Sequence, residues 1–300
     1  MKIAIWKGLI DMIKSYNKGY ISFFGLLLTY VMMTFISAYT GIFDFIPSIY
    51  NQIYTLLLPI VLYFIFFHKD FRDYKYFNIL KIETILLLFL ISYLILPTVG
   101  LLSIIGQYFV GNQVGEMIKE FTNGYGDNFI VLTISLAVFP SIFEEVAMRG
   151  IVLNYFKLYN IHFAAIMNGV LFGIFHLNFG QFIYTFFLGI IFAYAVIYTK
   201  SIFSGIFLHF LNNFRQVSIL VNNKDIDISQ SIELPGMQEL LILGGISVIT
   251  MFLVVIIFRR IKKISGYKAS TYEALNVKMI VNPFLCLIIL FFIAILFFIS

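Results

Sequence analysis

Residues 139–150 read FPSIFEEVAMRG, and the chain on both sides of them is apolar over the length of a membrane crossing. Two adjacent carboxylates, Glu144 and Glu145, and a guanidinium, Arg149, stand where hydrocarbon is expected. An ionisable side chain at the bilayer centre costs about 2.5–3.5 kcal/mol even on lenient insertion scales, so such groups face a protein interior or a cavity. One helix alone cannot hide three of them. The stretch therefore predicts an all-α transmembrane helical bundle with a polar interior.

Composition supports that reading across the chain. Of 300 residues, 61% are hydrophobic and 12% charged, and the mean hydropathy is +0.97. An average soluble domain carries about 25% charge. Apolar runs long enough to cross a ~30 Å hydrocarbon core recur from end to end. They predict nine spans, or eight if one falls short, at 21–43, 51–67, 83–108, 129–156, 162–179, 181–199, 201–221, 238–258 and 281–299. With the N-terminus cytoplasmic, seventeen of the twenty Lys and Arg residues fall on the inner side, as the positive-inside rule requires. The net charge of +5 is thus a topology signal, and a nucleic-acid partner is not expected.

Residues 1–20 alternate Ile3, Trp6, Ile10 and Ile13 with Lys2, Lys7, Lys14 and Lys18, the pattern of an amphipathic helix on an anionic membrane face. Lys7 and Asp11 interrupt the apolar region, so a cleavable signal peptide is not expected. Residues 21–128 then supply accessory spans one to three, and residues 129–221 form a polar-lined core. Residues 238–300 carry spans eight and nine around a basic cytoplasmic loop, 259–280. The single cysteine, Cys286, excludes an intrachain disulfide and is expected to be a small buried apolar residue.

Within the core, Lys157, His162 and Lys200 fall at turns. Glu144, Glu145, Arg149, His176, His209 and Arg215 do not. Spans four and five form a hairpin turning near residue 160, with Glu144 sixteen residues before that point and His176 sixteen after it. At ~1.5 Å per residue both reach the same level. His209 with Asn213, and Glu145 with Arg149, are i and i+4 pairs and share a helix face. Gly169 and Gly173 precede His176, and Gly205 precedes His209, where small residues let helices approach. Pro140 predicts a bend one turn before the carboxylates.

EEVAMR, FGIFH and HFLNN thus present E-E-x-x-x-R, F-x-x-x-H and H-x-x-x-N patterns, in that order, on consecutive spans. Together they resemble the signatures of the CPBP family of intramembrane proteases. This family includes the type II CAAX prenyl endopeptidases and bacterial Abi-like relatives acting in bacteriocin processing and self-immunity. The resemblance covers residues 129–215. It implies a peptidase in which Glu144, helped by His176, activates water, with the role of base also open to Glu145. It further implies that His209 and Asn213 stabilise the oxyanion, while Glu145 and Arg149 orient the first carboxylate or hold the fold. Its members are often labelled metalloproteases, which makes Glu144, His176 and His209 the candidate ligands of a Zn²⁺ ion. No H-E-x-x-H is present, and metal-independent activation of water accounts for the same residues. No cofactor is therefore expected.

The expected substrate is a membrane-associated peptide or protein. The Lys-, Asn-, Ile- and Phe-rich composition suits an AT-rich bacterial genome and a multi-pass protein of the cell membrane. Two other classes share the polar core. A non-catalytic immunity or scaffold protein would keep the fold and bind a partner. A proton-coupled transporter would use the carboxylates and histidines as a relay, although the repeated halves common in transporters are absent.

Overall fold

A computed structural model of the chain describes residues 2–40, 53–67, 76–110, 128–156, 160–222, 235–268 and 282–299. The side chains of residues 2–16, and the polar and basic segments 41–52, 68–75, 111–127, 223–234 and 269–281, lie outside it. So do the amphipathic face assigned to residues 1–20 and much of the basic loop 259–280. Among the described residues there are nine helical segments and no strand beyond an isolated bridge between Phe77 and Ser201.

We number them α1 (Lys2–Thr40), α2 (53–67), α3 (Ile82–Val110), α4 (Phe129–Phe156), α5 (Ile161–Phe175), α6 (Phe179–Thr199), α7 (Ile202–Asn222), α8 (Met237–Ile264) and α9 (Pro283–Ile299). Five segments are long and apolar enough to cross a membrane: Asn17–Ser37, α3, α4, α6 and α8. Shorter apolar helices at Tyr54–Ile65, α5 and Pro283–Phe297 complete the apolar set. Helix α7 is as long as α6 but polar on one face, where the site is built. The protein is a multi-pass helical membrane protein.

Three boundaries differ from the sequence expectation. The N-terminal segment and the first span are one uninterrupted helix, because nothing between Lys2 and Thr40 breaks α-helical hydrogen bonding. Helix α3 is interrupted at Ile95, two residues before Pro97, whose ring cannot donate and crowds the preceding turn. Helix α5 stops at Phe175 instead of running to 179. His176 is its C-terminal cap, Leu177 takes a left-handed backbone (φ 50°), and Asn178 caps α6 by accepting from the Gln181 N–H at 3.0 Å.

Helices α4 to α7 form the centre. The α5–α6 hairpin packs tightly along a glycine seam: a Cβ on Gly169 would lie 2.7 Å from the Phe186 carbonyl, and one on Gly189 would lie 2.8 Å from the Gly169 Cα. Helix α7 packs on α4 and α6. Helices α1, α2 and α9 cover the flank beside the second half of α4, while α3 and α8 cover α6 and α7 on the other side. Outward faces carry Leu86, Val248, Phe252 and Leu290, the surface expected toward lipid. Cys286 belongs to that surface: it is exposed and not buried as expected, since its neighbours Leu285 and Ile288 take the inward positions of α9.

Candidate active site

Helix α4 is not a regular helix. It winds wide at Ile134–Val138 and again at Val146–Val152, where hydrogen bonds reach back five residues. Phe139 N–H donates to the Ile134 carbonyl, so the first wide turn absorbs the backbone that Pro140 cannot pair. The second is held from outside: Met148 O accepts Leu153 N–H and also the Asn168 side chain, at 2.8 Å. Between the two wide turns a short α-helical stretch, Phe139–Glu145, presents the carboxylates. Single wide turns of this kind recur at functional sites because they re-aim side chains that a regular helix would direct elsewhere.

Glu145 is fully buried, and its Oε2 has no hydrogen-bond partner among the described residues. Its Oε1 accepts from Arg149 Nη1 at 2.7 Å and lies 3.1 Å from Nδ1 of His209. Arg149, fully buried as well, donates from Nη2 to the Gly189 carbonyl at 3.1 Å and stacks over Phe172 (4.4 Å) and Phe192 (5.4 Å). Aromatic faces and a carbonyl supply what water would supply elsewhere. Gly205 is the residue that lets α7 close on this pair, since a Cβ there would collide with Oε2 of Glu145.

Glu144 points differently. Its side chain retains 13% exposure, and its Oε2 has no hydrogen-bond partner among the described residues. That oxygen lies 3.9 Å from Nε2 of His209, too long for a hydrogen bond and short enough for an ion pair. The imidazole of His209 therefore sits between the two carboxylates. It is stacked on Phe192 (centroids 5.3 Å) and set edge-on to Phe172 (5.7 Å).

His176 caps α5 within electrostatic reach of Glu144, His209 and Arg149. Its Nδ1 meets the Phe172 carbonyl at 2.9 Å, and a carbonyl can only accept, so Nδ1 carries the proton and Nε2 offers a lone pair. Asn213 lies one turn along α7 from His209. Its Oδ1 accepts from Asn212 Nδ2 at 3.2 Å, which leaves its own amide N–H groups as donors. All six residues singled out in the sequence thus lie on α4, α7 and the α5 cap, and five of them are in contact or electrostatic reach of one another. Arg215 is elsewhere: it donates to Ser92 Oγ at 2.6 Å and stacks on Tyr93 of α3.

Other contributors went unrecognised in the sequence. Phe192 and Asn168 were not singled out, Asn212 stood inside HFLNN without a role, and Phe172 entered only as the first residue of the F-x-x-x-H pattern. Tyr30 of α1 and Tyr184 of α6 lie within electrostatic reach of Glu144, and Tyr30 stacks on Phe175 at 5.4 Å. Only the i+4 spacing of Phe172 ahead of His176 carried a signal.

The three candidate metal ligands do not converge. Among the described residues no three His, Cys, Asp or Glu side chains are grouped to hold an ion. His209 already uses Nδ1 on Glu145, and the donors of Glu144 and His209 stand 3.9 Å apart without a third. The set does not fit a metal centre, and no step below passes through one.

A multi-helix membrane bundle with paired carboxylates and two histidines at one buried level defines the class: an intramembrane protein equipped for polar chemistry. Residues 126–215 match the type II CAAX prenyl endopeptidase Rce1-like family, a match that supports kinship of this segment with the CPBP and CAAX intramembrane proteases. No curated protein and no solved structure matches the chain.

Proposed function

We propose that the protein is an intramembrane endopeptidase that hydrolyses a peptide bond in a membrane-associated peptide or protein. Supporting the reading is the division of labour between adjacent carboxylates within the family-matching segment. Each carboxylate has an Oε2 without a hydrogen-bond partner among the described residues, but Oε1 of the fully buried Glu145 is held by Arg149 and His209, whereas the Glu144 side chain retains 13% exposure. A base must reach water, so Glu144 is assigned the role and Glu145 is not.

In this reaction Glu144 and the Nε2 lone pair of His176 hold a water between them. The water proton passes to Glu144 as its oxygen attacks the scissile carbonyl. Negative charge on the former carbonyl oxygen is met by the amide of Asn213 and by Nε2 of His209. Because Nδ1–H of His209 points at a carboxylate, Nε2 can donate only when the ring carries both protons. The carboxylates on either side of the ring balance that charge. Collapse of the tetrahedral intermediate breaks the C–N bond, and Glu144 returns its proton to the leaving amine. Arg149 does not touch the reacting atoms; it holds Glu145, which holds His209.

The test is a mass-spectrometric comparison of membrane peptides from cells expressing the wild type or Glu144→Gln at equal protein level. Peptides truncated only with the wild type are expected and identify the bond. Identical peptide inventories, with Glu144→Gln still supporting the host phenotype, would sink the assignment.

A further inference from the structure

A second polar feature lies away from the carboxylates, at the basic end of the bundle. Three segments are stitched together there. Ile202 N–H donates to the Tyr76 carbonyl at 2.7 Å, and Asn78 N–H to the Lys200 carbonyl at 3.4 Å. Ser265 Oγ donates to the Tyr198 carbonyl at 2.6 Å. The extended segment leading into α3 (76–81), the α6–α7 turn and the end of α8 are thereby fixed against one another.

Between them opens a cavity of about 160 Å³, lined by Tyr76, Lys200, Tyr267 and Lys268 together with Ile161 and Ala164 from the first turn of α5. No carboxylate is among the described residues that line it. Helix α6 outruns α5 here: His162 Nδ1 meets Tyr194 OH at 2.6 Å, so the last turn of α6, ending in Lys200, stands beyond the start of α5. The cavity occupies that step. The opening turn of α5 borders the space, with its His162 N–H already taken by the Asn160 side chain at 2.8 Å.

Lys200 adds a second observation. It holds a left-handed backbone (φ 52°) at the C-terminal end of α6, a position where Gly or Asn is usual. A lysine kept in that conformation directs a charge at this turn at some conformational expense. Lys262 reinforces the field from the rim, its Nζ 5.3 Å from the Tyr267 ring centroid and 5.8 Å from that of Tyr198. Burial and the adjacent Tyr267 push the Tyr76 phenol up to about 12, so it remains a hydroxyl donor at neutral pH. Two ammonium groups and two phenols converge here, with no carboxylate among the described residues that line the space.

We propose that this cavity binds a phosphate group at the membrane surface, independently of the reaction assigned to Glu144. Lys200 and Lys268 neutralise it, and the Tyr267 phenol donates to its oxygens. A phospholipid headgroup and a soluble phosphate ester present the same chemistry, and the experiment separates them.

Full-length protein in neutral detergent is titrated with a fluorescent phosphatidylglycerol. The variants are Lys200→Asn, which tolerates the left-handed backbone while removing the charge, Lys268→Gln, and both together. Lys263→Gln, exposed on α8 and not lining the cavity, is the control. The double variant is expected to bind about tenfold more weakly, as loss of charge-assisted contacts implies, with the control unchanged. A loss of less than about threefold, or an equal loss in the control, overturns the proposal. Competition by unlabelled phosphatidylglycerol but not by glycerol phosphate or by diacylglycerol, which lacks the phosphate, assigns the site to a lipid. Equal competition by glycerol phosphate assigns it to a soluble ester. Equal competition by diacylglycerol shows apolar adhesion and overturns the assignment.

Discussion

Nδ1 of His209 lies 3.1 Å from Oε1 of Glu145, and the same oxygen receives Nη1 of Arg149 at 2.7 Å. One oxygen on α4 therefore fixes both a cation on its own helix and an imidazole on α7. Movement of any member is transmitted to the other two.

Glu144→Gln should abolish cleavage while leaving the fold intact, because its Oε2 makes no hydrogen bond that glutamine would lose. A general base contributes on the order of 10²–10⁴ in rate. The measurement is kcat on the identified peptide, alongside a thermal unfolding curve in detergent.

Arg149→Met should act on stability first. Removing one member of a buried ion pair leaves an uncompensated charge, at about 3–5 kcal/mol. Pairing it with Glu145→Gln should recover part of that loss, since no lone carboxylate then remains. Unfolding midpoints of the two single variants and the double variant test this; strict additivity would contradict it.

Gly205→Ala should lower activity even though alanine is the better helix former. Its Cβ would collide with Oε2 of Glu145, forcing α7 away from α4 and His209 with it. Gly25→Ala on α1 meets no atom within 4 Å and should be neutral or slightly stabilising. Equal activity of the two variants would remove Gly205 from the argument.

Asn212→Leu should reduce kcat while leaving KM near the wild-type value. Asn212 touches no reacting atom; it orients Asn213 by donating to its Oδ1 at 3.2 Å. Loss of an oxyanion donor is worth about 10²–10³ in kcat, and a mispositioned one should cost less than Asn213→Ala. A KM effect alone would assign Asn212 to substrate binding.

Much of this site was legible before any coordinates. Helical spacing paired Glu145 with Arg149, and counting from the α4–α5 turn put Glu144 and His176 at one level; the structure brings both relationships to contact or electrostatic range. The wide turns of α4 were not legible beyond the bend at Pro140, because an apolar pattern does not report whether a backbone N–H reaches back four residues or five. Nor was the end of α5. Phe175, His176 and Leu177 continue the apolar run, and only Asn178 as the cap of the next helix marks the stop. Phe192 was not singled out because what sits on it, a guanidinium and an imidazole, comes from other helices. Tyr30 lies outside the matched segment, so no motif could have led to it.

The enclosure of Arg149 also bears on how the chain is made. During synthesis α4 emerges well before α6, so its guanidinium enters the bilayer without the Gly189 carbonyl or the Phe192 face that later meet it. At that stage the i, i+4 pairing with Glu145 on the same helix is already in reach. The pair thus serves as a temporary chaperone written into the nascent helix, and α4 settles only when its successors arrive. Chains arrested before residue 179 should accordingly leave α4 accessible to water-borne thiol reagents at an engineered cysteine, and chains arrested after 222 should not.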